Sequence, residues 1–401
     1  MRRSPLLAIL LIAFISLMGF GIIIPLLPLY AEHYGAQPWQ VGALSASYAL
    51  MQFIFAPILG RWSDTIGRRP VLLISIAGTA AGFLLMGIAW SLPLLFVARI
   101  LDGATGGNIA VAQAYISDIS DEKERTKSIG LLGAALGLGF IFGPAIGGFL
   151  SSDGNFARPA FAAAALAMLS LLLTYVALPE PPRERRTAAG RQTGRQQLSR
   201  SLRHPAVGPL LAMALLTSLA FIGFETSFAL FASRRLQFNS AHVGYTLAYV
   251  GVIVAIVQGG LLGKLVARWG EERLLIAGAA LLAIGMLLLS ITYTVLELLA
   301  VLSIIAIGNG LFDPTLASLV TRRSPASERG AHLGSLQALN SLARIGAPLA
   351  ANTMLQLITP GAPYILAAWL LLLVSVLAIR LARSAAVQPA SRDLHIRSRQ
   401  L

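Results

Sequence analysis

Five charged residues stand inside otherwise apolar stretches of this 401-residue sequence: Arg99, Asp102, Glu225, Asp313 and Arg344. Ionisable side chains in such a setting are expensive and face a partner or a water-filled cavity. Arg99 and Asp102 are spaced i, i+3, so on a helix they share a face and can pair. Glu225 lies among aromatics in Phe221-Ile-Gly-Phe224-Glu225-Thr-Ser-Phe228, and Asp313 precedes Pro314. Gln337, Asn340 and Arg344 follow i, i+3, i+7 spacing and form one polar stripe. These types allow proton uptake by Glu225, Asp102 or Asp313, and recognition of polar or charged groups by Arg99, Asn108, Gln113, Asn309, Gln337, Asn340 and Arg344. Each also has a plainer reading. Arg99 and Asp102 can be a structural pair, Glu225 an acid near the outer interface, Asp313 a cap or hinge, and Arg344 a binder of backbone carbonyls. The amides, with Gln52 and Gln258, can be interhelical hydrogen-bonders. Phe221, Phe224 and Phe228 make an aromatic stripe that either packs or lines a pocket.

The elements that must position these residues follow from composition. The chain is 56% hydrophobic and only 12% charged, about half the charge of an average soluble domain, with a mean hydropathy of +0.74. Such a chain needs an apolar surrounding, which excludes a soluble enzyme, a secreted disulfide scaffold and a disordered regulator. There is no cysteine, hence no thiolate nucleophile or thiolate metal site. Stretches of roughly 20 apolar residues recur twelve times, at 6–30, 41–60, 71–91, 93–116, 128–150, 157–178, 207–232, 242–263, 274–294, 296–320, 331–357 and 362–382. Asp102 falls about 14 Å into the fourth span at 1.5 Å per residue, near the midplane. The first span follows Arg2 and Arg3 but is too long for a signal peptide and lacks its cleavage site.

The expected organisation is a bundle of six helices over 1–178, a basic, Pro-initiated linker over 179–206, a second six-helix bundle over 207–383 and a tail over 384–401. The net charge of +14 is topological in origin. Of the 31 Lys and Arg residues, 26 fall on one side of the membrane under this count, three on the other and two within spans. The positive side is the cytoplasm, so both termini are expected there, in a multi-pass protein of the plasma or inner membrane. The halves repeat in parallel. Gly60, Arg61 and Gly67 match Gly263, Lys264 and Gly270 at an offset of 203; Glu124-Arg125, Gly130 and Pro144 match Glu328-Arg329, Gly334 and Pro348 at 204. Internal repeats of this kind are a mark of secondary transporters, with the site at the repeat interface.

At these residues the sequence resembles the major facilitator superfamily. Gly60…Asp64…Gly67-Arg68-Arg69 resembles its loop signature G-x-x-x-D-x-x-G-R-R. Arg99 with Gly103 is similar to the fourth-span signature of the bacterial twelve-helix drug:proton antiporters. Gly139-Phe-Ile-Phe-Gly143-Pro144-Ala-Ile-Gly147-Gly148 resembles their fifth-span signature, and Tyr48-Ala-Leu-Met-Gln52-Phe-Ile-Phe-Ala-Pro57 is similar to tetracycline-efflux proteins. The resemblance implies the all-α, twelve-helix fold of that family. It also implies a conformational latch built from Gly60, Asp64, Gly67, Arg68 and Arg69, for which Asp118, Glu124 and Arg125 are candidate partners; the plainer reading is a solvated basic loop that only sets topology. One position departs: where tetracycline-type exporters carry an acid on the first span, before Gly19-Phe-Gly21-Ile-Ile-Ile-Pro25, this chain has Ser16.

Gly139, Gly143 and Gly147 share one helix face and permit close backbone approach, and Pro144 removes a backbone donor. This suits a helix that packs against the other half, or simply tight packing. There is no G-x-x-x-x-G-K-[ST] loop, no H-E-x-x-H and no nucleophile with its base, so a gradient rather than bound ATP is the expected energy source. The sequence reads as a secondary active transporter working by alternating access, most simply proton-coupled efflux of amphipathic small molecules. The alternatives are transport of a sugar, organic anion or lipid, and, more remotely, a non-transporting membrane sensor. Expected partners are a small-molecule substrate, protons and the lipid bilayer. No cofactor, metal or nucleic acid is expected, nor any enzymatic activity, and the expected state is a monomer.

Overall fold

The computed structural model describes residues 5–120, 122–181, 194–325 and 328–387, which are helical almost throughout, with no strand among them. The first helices are α1 (Pro5–Ile23), α2 (Leu27–His33), α3 (Pro38–Thr65), α4 (Arg68–Gly87), α5 (Leu92–Thr105), α6 (Asn108–Ile119), α7 (Glu122–Leu150) and α8 (Ala157–Ala177). A linker helix follows, α9 (Gly194–Arg203). Then come α10 (Gly208–Leu236), α11 (Ser240–Ile256), α12 (Leu262–Trp269), α13 (Glu271–Ser290), α14 (Val295–Arg323), α15 (Arg329–Leu357) and α16 (Ala362–Val387). Among the described residues eleven helical stretches are long and apolar enough to cross a membrane, with α5–α6 and α11–α12 each counting as one. The twelfth span, α15, has the length, 29 residues, but its Gln337, Asn340 and Arg344 stripe lowers its hydropathy. The chain is an all-α membrane protein with twelve transmembrane helices. Its outward side chains agree: Leu296 is 80% exposed, Trp90 74% and Trp369 67%, tolerable only against lipid.

Three of the expected spans are interrupted along their length. The first breaks at a turn between Ile23 and Leu27, where Pro25 and Pro28 withhold backbone donors. The fourth breaks at Gly106-Gly107, where the Gln52 amide donates to the freed Gly106 carbonyl at 2.8 Å. The eighth contains a π-helical turn, Val257–Leu261, around Gly259-Gly260. The linker is partly helical: α9 lies on α15, with Gln197 Nε2 donating to the Ala331 carbonyl at 2.9 Å and Arg200 pairing with Glu328 at 2.8 Å. The rest of the linker, 182–193, and the tail beyond Val387 lie outside the described residues.

Two compact units emerge. The first joins Met1–Ala189 with Ile222–Val252 and Arg344–Pro363; the second comprises Gly190–Phe221, Ile253–Ala343 and Tyr364–Leu401. In the first, α1 packs on α7 and α8, α3 on α5, and α4 on α5 and α8, around a core that includes Ile12, Leu72, Ile76, Tyr115 and Leu132. In the second, α13 packs on α14.

The fifth-span glycines act differently from the expectation of contact with the other half. Gly139, Gly143 and Gly147 all face α1: a Cβ on Gly143 would lie 2.7 Å from Gly21, one on Gly139 2.8 Å from the Phe14 carbonyl, and one on Gly147 2.5 Å from the Ile22 carbonyl. Gly148 alone turns to α11, where its Cβ would meet Gly244 at 3.0 Å. The glycine face thus seats α7 on its own half, and one residue further on the chain touches the other.

Gly143→Leu should therefore lower the stability of the detergent-solubilised protein by about 1–3 kcal/mol through overpacking. Gly130→Leu, where nothing lies within 4 Å, should leave it unchanged; thermal unfolding compares the two.

Candidate functional site

Three glycines draw α3, α4 and α5 together. A Cβ on Gly82 would meet the Asp102 side chain at 2.9 Å, one on Gly103 the Tyr48 carbonyl at 2.5 Å, and one on Gly78 would overlap Thr105. This close approach buries Arg99 and Asp102 to 3% and 1% exposure. Arg99 Nη1 donates to Asp102 Oδ2 at 2.9 Å. The guanidinium also lies over the Tyr48 ring, 4.0 Å from its centroid, and 5.9 Å from that of Phe20. Thr79 hydrogen-bonds Asp102, and Gln52 Nε2 donates to the Tyr48 hydroxyl at 3.1 Å. The Arg99 Nε–H has no partner among the described residues.

Of this pair Arg99 lines a cleft, open to solvent, whose lining residues all belong to the first unit. Phe20, Tyr48 and Phe140 supply aromatic walls, Ile24, Leu27, Pro28, Ile222 and Pro348 apolar ones, and Ser45 and Thr226 hydroxyls. Two further charges enter it, Glu225 from α10, half-buried, and Arg344 from α15, exposed. Neither has a salt bridge among the described residues.

The other candidates disperse. Phe224 and Phe228 are 2% and 0% exposed and pack on each other at 5.5 Å; α10 shows the cleft Ile222, Glu225 and Thr226 instead. Asn108 Oδ1 accepts from the Ile109 N–H at the start of α6, and Gln113 is exposed; neither lines the cleft. Phe221, Asn309, Asp313, Gln337 and Asn340 belong to the second unit. There Asn340 Oδ1 accepts from Ser218 at 2.6 Å, Asn309 Oδ1 is buried without a partner among the described residues, and Asp313 is exposed one turn along α14. Ser16 bonds Ser170 of α8 at 3.3 Å rather than facing the cleft.

A second polar cluster lies at the basic end of the first unit. Gly67, at φ +115°, turns the chain into α4. Arg68 pairs with Asp64 and Asp118, each at 2.7 Å, and Arg69 donates to the Tyr175 carbonyl at 2.5 Å. Two arginines opening a helix oppose its dipole. The unanticipated Glu180 offsets this: its two oxygens accept the Arg68 and Arg69 backbone N–H groups at 2.6 and 2.9 Å. The Arg125 side chain lies outside the described ones.

The repeat position in the second unit carries the cluster with its charges exchanged. Glu271 and Glu272 open α13 where Arg68 and Arg69 open α4, and they bind Arg322 at 3.1 Å and Arg323 at 2.5 Å. Arg322 is the counterpart of Asp118 at an offset of 204. Acids at a helix start suit the dipole directly.

Twelve membrane-crossing helices and a charged cleft inside the membrane-spanning region define a membrane transporter. The family model described as Major Facilitator Superfamily matches residues 9–289 and 259–399, and the chain belongs to that family. It is 35% identical over 359 residues to the class D tetracycline resistance protein of Salmonella ordonez, covering 86% of this chain and 88% of that protein. To multidrug resistance protein 1 of Bacillus subtilis (strain 168) it is 29% identical over 339 residues, covering 84% and 86%. Its fold is also similar to the crystal structure of the human organic anion transporter MFSD10, with a TM-score of 0.71 and 24% identity over 94% of this chain and 99% of that one.

Removing one partner of a buried ion pair strands the other. Asp102→Asn and Arg99→Gln should each cost about 3–5 kcal/mol, whereas Arg99→Met with Asp102→Leu should recover most of the loss; a double-mutant cycle by thermal unfolding measures this. Glu180→Ala should cost about 1 kcal/mol, as for loss of a helix cap.

Proposed function

We propose that the protein is a proton-coupled exporter of amphipathic small molecules that works by alternating access between two six-helix halves. The observation that carries this reading is the cleft: a carboxylate and two guanidiniums among aromatic and apolar walls, within membrane-spanning helices. Relatives named for tetracycline and multidrug resistance support export of drug-like compounds. The excess of basic residues at one end supports cytoplasmic termini in a plasma or inner membrane. With that orientation, substrate enters the cleft from the cytoplasm.

The outer side of the cleft is shut within the first unit. Glu32 pairs with Arg234 at 2.9 Å, Gln356 bonds Gln37 and the Trp39 backbone, and Gly42 lies against the Pro348 carbonyl. Opening outward must break these contacts. At the cytoplasmic end, as the family resemblance implies, the Asp64–Arg68–Asp118 cluster is the core of the latch. Its own ion pairs are made within the first unit with the outer side shut, so the contacts that change between states are those the cluster makes beyond itself. Glu225, or Asp102 behind Arg99, takes a proton from outside. Neutralising it weakens attraction to Arg344 or Arg99 and changes the balance between the two states. Moving one charge across 100 mV supplies about 2.3 kcal/mol, enough for modest accumulation.

In proteoliposomes with an imposed pH gradient, the wild type should accumulate tetracycline. Glu225→Gln should abolish accumulation while leaving exchange at equal pH intact. If Glu225→Gln and Asp102→Asn both accumulate substrate like the wild type, neither acid couples the proton.

A further inference from the structure

Three charges line the cleft, and they are not equally available. Arg99 has its charge paired by Asp102 at 2.9 Å and covered by the face of Tyr48 at 4.0 Å, and it is 3% exposed, with only its Nε–H left without a partner among the described residues. Arg344 is different. It is exposed in the cleft and has no salt bridge among the described residues, not even to Glu225, whose charge it feels across the cleft. A guanidinium without a salt bridge within a membrane span is costly to keep. Its planar fork of donors matches a carboxylate in two-point geometry. Phe20 and Phe140 add flat apolar area to the same cleft.

Resting on the exporter reading, we propose that Arg344 binds an acidic group of the substrate, so that the transported class is amphipathic carboxylates with an aromatic body. Glu225 repels that group and confines it to the α15 side of the cleft. A basic group elsewhere on the same molecule would face Glu225, so zwitterions fit as well as simple acids, and purely cationic amphipaths fit poorly.

The test is exchange in proteoliposomes at equal pH on both sides, which removes any dependence on the proton gradient. The probes are dansyl-phenylalanine, its uncharged amide, and ethidium as a cation. The wild type should exchange the carboxylate with a KM at least tenfold below that of the amide. Arg344→Gln should raise the carboxylate KM at least tenfold and leave the amide unchanged. Arg344→Lys, which keeps the charge and loses the fork, should fall between, and serves if the glutamine variant does not fold.

Equal effects of Arg344→Gln on both dansyl probes would overturn the assignment. So would unaltered carboxylate exchange by the charge-exchanged double variant Glu225→Arg with Arg344→Glu, which would make Arg344 only a partner for residue 225. Exchange of ethidium but of neither dansyl probe would overturn the substrate class and leave the exporter reading standing. Exchange of none of the three would remove both.

Discussion

Arg99 carries a charge that a bilayer cannot solvate, and the arrangement of the first unit follows from meeting it. Asp102 neutralises it, Thr79 steadies Asp102, and Tyr48 covers the remaining face of the guanidinium. These groups come from α3, α4 and α5, so the pair forms only if the three helices approach closely. Gly78, Gly82 and Gly103 remove the side chains that would hold them apart. Charge and glycine therefore act together: the ion pair gives the helices a reason to meet, and the glycines give them room.

The same economy governs α7. Without a hydrophobic drive between helices in lipid, association rests on close packing and hydrogen bonds. Three glycines at fourfold spacing seat α7 on α1, and the next residue, Gly148, is the one that meets α11. A single helix thus packs against α1 on one face and, beside it, against α11. The contacts of α2 and α3 with α10 and α15 are one surface ion pair, amide hydrogen bonds and a glycine against a carbonyl. Each is individually weak.

The basic ends of the two units show one architecture with two electrostatic solutions. Where arginines open α4, an acid 112 residues distant must cap the helix; where glutamates open α13, the first residues serve the dipole themselves. The repeat has kept the position of the ion pairs and exchanged their polarity, which is possible because a Coulomb attraction is indifferent to which helix bears which sign.

Much of this was legible in the chain because it is local. Hydropathy gave twelve spans, the distribution of cations separates one membrane face from the other, and i, i+3 spacing put Arg99 beside Asp102. What the chain did not disclose depends on side chains far apart in sequence. Glu180 caps α4 from beyond α8. Phe224 and Phe228, equal to Glu225 in any local reading, turn into packing, while Phe20, Tyr48 and Phe140 wall the cleft. Arg344 joins Glu225 across 119 positions, whereas Asn340, one turn away on the same stripe, bonds Ser218 in the other unit. The sequence alone determined which segments cross the membrane and which charges they carry, since both are properties of single helices. Only the tertiary structure decided which of those charges share a cleft, because that depends on how closely helices pack, and a single Cβ can forbid it.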